Sequence, residues 1–134
     1  MNMQVKQIST ALGAEITGIE LSKVSDDQVE EIKSLLTEHK VIFFPGQNIT
    51  QEEHVEYGSK FGELEGHPNL KNKRVTHPKI FELAASTGGI ADEWHTDITF
   101  QDSPAIMSVL HMVKCPELGG DTMWSNLNAA YEAL

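Results

Sequence analysis

At 134 residues the chain is long enough for one domain whose core buries about two-thirds of the surface exposed by the unfolded form. Ten basic against twenty acidic residues leave a formal charge of −10, which repels phosphate backbones and anionic lipid surfaces and argues against nucleic acid as a partner. Apolar residues make up 40% of the chain, yet no run approaches the ~20 needed for a membrane span. Met1-Asn2-Met3-Gln4-Val5-Lys6 also lacks a signal peptide's apolar centre, so the expected setting is the cytoplasm with no membrane partner. The single cysteine, Cys115, has no thiol partner for a disulfide or a metal knuckle and is expected as a small buried or half-buried side chain.

Residues 5–20 alternate apolar and polar around Gly13 and Gly18, which predicts two short strands joined by a turn. Ser25 and Gln28 have capping-box spacing, and Val29, Ile32, Leu35 and Leu36 share one face of a helix ending near Lys40. Val41-Ile42-Phe43-Phe44 then runs apolar into Pro45-Gly46, the pattern of a strand buried on both faces. A second capping box, Thr50 with Glu53, starts a helix whose predicted face is Val55, Gly58 and Phe61, with Gly62 as terminator. Residues 63–78 read as a loop that either crosses the surface near a site or stays mobile.

Further strands are expected at Lys79 to Ala85, at Glu93 to Phe100 after the break Ser86-Thr87-Gly88-Gly89, and at Ala105 to Val113. Pro116 and Gly119-Gly120 punctuate, extended structure resumes from Thr122 to Trp124, and Ser125 is the expected start of a last helix. Leu127, Ala130, Tyr131 and Leu134 are still in helical phase at the final residue, without a terminating signal, so the expectation is a single domain over 1–134 that breaks off within a helix. No repeat, low-complexity tract or interdomain linker is present.

The stretch Glu93-Trp94-His95-Thr96-Asp97-Ile98-Thr99-Phe100 carries the chemistry. On a strand, residues two apart share a face with Cα atoms roughly 6.6–6.8 Å apart, so His95 and Asp97 could lean onto one ion. Such a pair is two-thirds of the facial triad of two histidines and one carboxylate that holds non-haem Fe(II). By itself a His-x-Asp is weak evidence and reads more simply as two polar residues on a strand's exposed face.

Context adds weight. Trp94 to Phe100, followed by Gly119-Gly120-Asp121-Thr122-Met123-Trp124 and Ala129-Ala130-Tyr131-Glu132-Ala133-Leu134, resembles the taurine dioxygenase-like family of Fe(II)/2-oxoglutarate-dependent oxygenases. Leu12-Gly13-Ala14-Glu15-Ile16-Thr17-Gly18 and Phe61-Gly62-Glu63-Leu64 extend the resemblance in the family's order. It implies an α+β fold built on part of a double-stranded β-helix, or jelly roll, with flanking helices, whereas the sequence pattern alone gives only mixed α and β elements. It also implies His95 and Asp97 as the first two metal ligands, Thr122 at the far carboxylate of 2-oxoglutarate, and His67 on the primary-substrate side. Trp94 is expected to pack. The implied chemistry is ferryl-mediated hydrogen abstraction that hydroxylates a small, anionic molecule, with Fe(II), 2-oxoglutarate and O₂ as cofactor and cosubstrates.

Departures from the family pattern narrow this expectation. Where taurine-specific members place a tyrosine and an asparagine toward the sulfonate, this chain has Leu70 and Ala91, which argues against taurine. The family's distal iron-binding histidine and cosubstrate arginine have no counterpart in these 134 residues, and His39, His54, His77 and His111 read as surface or core histidines. Two ligands and no arginine clamp predict weak iron binding and no turnover by this stretch alone, while a half-barrel's open sheet edges would favour self-association. Two alternatives remain open: a truncated or degenerate homologue serving as a non-catalytic binding or assembly module, and a metal site shared between two chains.

Overall fold

The computed structural model describes residues 3–66, 78–84 and 91–134. Strand β1 (Gln4–Gln7) pairs antiparallel with β2 (Ala14–Thr17), which pairs in parallel with the short β3 (Ile42–Phe43), giving the order β1-β2-β3. Helix α1 (Asp26–His39) is the crossover between the two parallel strands. The alternation read in the sequence appears directly in β2, where Ala14 and Ile16 are buried while Glu15 and Thr17 are half-buried. Gly13, at φ +100°, closes the turn between β1 and β2, and a Cβ there would lie 3.0 Å from the Ile8 side chain.

Both predicted capping boxes form. At α1 the Ser25 hydroxyl accepts from the Gln28 backbone N–H at 3.3 Å, and the Gln28 side chain accepts from the Ser25 N–H at 2.9 Å. Thr50 and Glu53 repeat the arrangement at α2 (Gln51–Ser59), at 3.2 and 2.7 Å. Each box satisfies two backbone donors that a bare helix start would leave open.

Val29 and Ile32 of α1, Tyr57 of α2, Phe61, and Leu21 and Val24 around a single 3-10 turn form one buried cluster. Tyr57 meets Phe61 and Phe44 edge-on, with ring centroids 5.1 and 6.4 Å apart. Gln47 ties the segment after β3 to the 3-10 turn, its carbonyl accepting from the Leu21 N–H at 3.0 Å and its amide donating to the Ile19 carbonyl at 3.1 Å.

Several expectations change. Tyr57 and not Val55 leads the buried face of α2, because residues 57, 58 and 61 share one helical stripe while Val55 lies on its flank, half-buried. The helix ends at Ser59, ahead of Gly62. Ile42 and Phe43 are half-buried, since β3 is an edge strand of a three-stranded sheet. The last helix, α3 (Leu127–Glu132), begins after Asn126, whose side-chain oxygen accepts from the Ala129 N–H at 3.1 Å and so takes the capping role expected of Ser125. Helix α3 buries none of its residues, and its predicted apolar face at Leu127, Tyr131 and Leu134 is exposed.

The strands expected at Lys79 to Ala85, Glu93 to Phe100, Ala105 to Val113 and Thr122 to Trp124 are not strands among the described residues; Ala85 and the break at 86–89 lie outside them. A strand exists through its ladder partners, and β propensity marks a segment suited to pairing without supplying the partner. The described architecture is therefore a small mixed sheet with helices, an α+β arrangement, and the ladders a jelly roll would need are not formed among the described residues. Cys115, expected buried or half-buried, is exposed. Among the described residues no helix is long and apolar enough to cross a membrane.

Candidate functional site

His95 and Asp97 come together, but not through the alternation of a strand. The backbone bends at Asp97 and Ile98 and turns at Thr99 and Phe100, with the Gln101 N–H donating to the Ile98 carbonyl at 3.1 Å. Ile98 sits at φ +43°, a left-handed conformation that β-branched residues rarely adopt. That turn redirects the chain directly after the carboxylate. His95 Nε2 then lies 3.4 Å from Asp97 Oδ1, with both side chains more than half exposed.

Hydrogen bonds on the far side of each group set their chemistry. The Nδ1 atom of His95 lies 2.8 Å from the Glu93 carbonyl oxygen, a contact that requires the proton on Nδ1 and leaves Nε2 with a free lone pair in the neutral ring. Asp97 uses its other oxygen, Oδ2, to accept from the Ser108 hydroxyl at 3.1 Å. Nε2 of His95 and a carboxylate oxygen thus face each other across a gap that a proton or a cation bridges favourably.

The separation suits a metal ion. Two donors each about 2.1 Å from one ion and at right angles would lie about 3 Å apart, so this pair needs only a few tenths of an ångström of closure. The donor set, one imidazole and one carboxylate, is of the type that non-haem iron accepts. Among the described residues no third histidine, cysteine, aspartate or glutamate joins them.

Thr122 lies in irregular chain just after Gly120, which sits at φ +71°, and makes no hydrogen bond among the described residues. Its segment is tied to the N-terminal sheet, with the Trp124 ring edge-on to Phe43 at 5.3 Å and the Asn126 amide donating to the Ala11 carbonyl at 2.7 Å. His67, Leu70 and His77 lie outside the described residues. Trp94, expected to pack, is 68% exposed. His39, His54 and His111 are half-buried, and His54 stands edge-on to His111 at 5.8 Å with its Nε2 3.0 Å from the Val109 carbonyl oxygen.

Sequence reasoning missed Ser108. The available signal was a hydroxyl interrupting the apolar run Ala105-Ile106-Met107-Ser108-Val109-Leu110, but nothing local linked it to a carboxylate eleven residues earlier.

An imidazole and a carboxylate 3.4 Å apart on an α+β chain make a candidate site without defining a reaction. The family model of the taurine catabolism dioxygenase TauD, TfdA family matches residues 4–134, and the chain belongs to that family. It is 40% identical to an alkylsulfatase of Acinetobacter baylyi over 98% of this chain and 42% of the relative. It is 37% identical to an alpha-ketoglutarate-dependent sulfate ester dioxygenase of Pseudomonas putida, over 100% of this chain and 45% of that protein. A crystal structure of a taurine dioxygenase from Burkholderia xenovorans superposes with a TM-score of 0.51 at 37% identity, over 57% of this chain and 28% of the other. The chain therefore spans less than half the length of these relatives.

Proposed function

We propose that this chain is the part of an Fe(II)/2-oxoglutarate-dependent dioxygenase that carries the first two metal ligands, in an enzyme hydroxylating a small anionic substrate. The facing of His95 Nε2 and Asp97 Oδ1 at 3.4 Å, inside a family match over 4–134, carries this reading. When bound, iron supplies the activation of O₂ with 2-oxoglutarate as cosubstrate. The residues of this chain do the holding and orienting. His95 presents Nε2, its ring oriented through Nδ1 by the Glu93 carbonyl, and Asp97 presents one oxygen while the other is engaged by Ser108. Thr122 is assigned to the far carboxylate of 2-oxoglutarate and His67 to the primary substrate.

Two donors among the described residues leave the site incomplete for tight binding, and by the family resemblance a further histidine ligand and a carboxylate-binding arginine are assigned to sequence beyond these 134 residues. The same reading makes segments 93–100, 105–113 and 122–124 strands of a jelly roll once their partners are present, and makes this stretch alone prone to self-association through unpaired edges. The enzyme is placed in the cytoplasm.

Of the anionic substrates, a sulfate ester is favoured over taurine. The relatives at 40% and 37% identity bear the names alkylsulfatase and sulfate ester dioxygenase, and Leu70 and Ala91 replace the polar pair expected for taurine. Hydroxylation at the carbon bearing the ester oxygen would give a hemiacetal sulfate. Loss of sulfate from it yields an aldehyde, while 2-oxoglutarate and O₂ end as succinate, CO₂ and the inserted oxygen. The test uses the full chain, expressed with any coding sequence that follows Leu134, and measures succinate release with a medium-chain alkyl sulfate and with taurine. Stoichiometric sulfate and succinate from the alkyl sulfate, at least tenfold faster than succinate release with taurine, is the expected result; faster turnover of taurine would overturn the substrate assignment.

A further inference from the structure

We infer that Ser108 is a positioning residue for the metal site, holding Asp97 so that only one carboxylate oxygen is offered to the ion. The inference rests on the metal-site reading above and goes beyond it, because Ser108 is not itself a donor to the metal. Asp97 has two equivalent oxygens and a freely rotating carboxylate, and without a constraint either oxygen, or both, could approach an ion beside His95. The structure divides them. Oδ1 faces His95 Nε2 at 3.4 Å, and Oδ2 accepts the Ser108 hydroxyl at 3.1 Å.

The geometry is reciprocal on the histidine, where the Glu93 carbonyl takes Nδ1 at 2.8 Å and leaves Nε2 for the ion. Each ligand is thus gripped on the side away from the metal by a hydrogen-bonding partner. For histidine the partner is backbone and beyond the reach of side-chain substitution. For aspartate it is a side chain from a different segment, and Ser108 lies between Met107 and Val109, which pack against the hydrophobic core. The hydroxyl is therefore carried on a stretch anchored to the folded part of the molecule, whereas residues 93–97 are exposed. One-oxygen coordination keeps a position on the ion that a chelating carboxylate would occupy, which matters where a 2-oxo acid and O₂ must also bind.

The experiment measures Mn(II) affinity of the full chain, with any coding sequence beyond Leu134, from loss of the free-ion electron paramagnetic resonance signal, so that no turnover is needed. Ser108→Ala is expected to weaken binding about tenfold or more, as loss of a ligand's hydrogen-bonding partner typically does. Ser108→Thr, which keeps the hydroxyl, should bind within threefold of the parent, and Ser103→Ala, removing an exposed hydroxyl elsewhere on the same stretch, should change nothing. Equal affinity of Ser108→Ala and the parent overturns the inference, and so does a Ser108→Thr variant as weak as Ser108→Ala. His95→Ala separates the two levels of argument. If it abolishes binding while Ser108→Ala does not weaken it, the positioning role alone is wrong; if it binds as the parent does, the metal-site reading fails and the inference with it.

Discussion

Residues 91–134 are richer in apolar side chains than residues 3–66, yet the two regions use them in opposite ways. In the first region Ile16 and Ile32 are fully buried and Leu21, Val24, Val29, Tyr57 and Phe61 close around the core. In the second, Ile106, Val113 and Leu118 are 81, 86 and 92% exposed, and only Met107 and Val109 reach the core, each partly buried. Burial follows from where a segment's partner lies in the chain. Helix α1 and strands β2 and β3 are neighbours in sequence and close on each other, whereas the extended segments after residue 91 have no ladder partner among the described residues.

His95 and Asp97, the proposed metal ligands, sit in the exposed region. That placement is ordinary for a functional site, since binding residues concentrate on segments that a rigid scaffold positions but does not bury. Here the scaffold reaches the pair indirectly, through Met107 and Val109 on either side of Ser108.

The sharpest way to break the comparison is to truncate one large side chain in each region. Ile32→Ala leaves a cavity in the buried cluster and is expected to cost about 2–5 kcal/mol, while Ile106→Ala removes an exposed side chain and should stay within about 0.5 kcal/mol. Urea denaturation of the two variants measures both, and a large loss from Ile106→Ala would show that the second region shares the core.

A smaller effect comes from pH. Burial pushes the Tyr57 hydroxyl up to about 12, above the ~10 of an unfolded tyrosine. The raised value means that the unfolded chain releases the proton first. The stability contributed is fully present below about pH 10 and is lost as pH rises toward 12, at no more than about 1.4 kcal/mol per pH unit. Tyr57→Phe should remove this part of the alkaline loss, and denaturation midpoints of parent and variant between pH 9 and 12 check it.

The same contrast explains what could be read from the sequence. Ser25 with Gln28 and Thr50 with Glu53 announced both helix starts because a capping box is complete within four residues. The two strands around Gly13 were equally legible, their pairing being local. The left-handed Ile98 was not, because a β-branched residue gives no signal for that conformation, and the bond from Ser108 was not, because it depends on how two separate segments meet. The histidine and aspartate were singled out by motif context, while the geometry that joins them came through a turn where a strand had been expected.

The central claim is that His95 and Asp97 hold iron, and anaerobic titration of Fe(II) with 2-oxoglutarate present tests it most directly. For the full chain, with any coding sequence beyond Leu134, a metal-to-ligand charge-transfer band should saturate near one iron per chain and disappear in His95→Ala. The 134-residue chain alone should show no such band at stoichiometric iron. An undiminished band in His95→Ala would contradict the account.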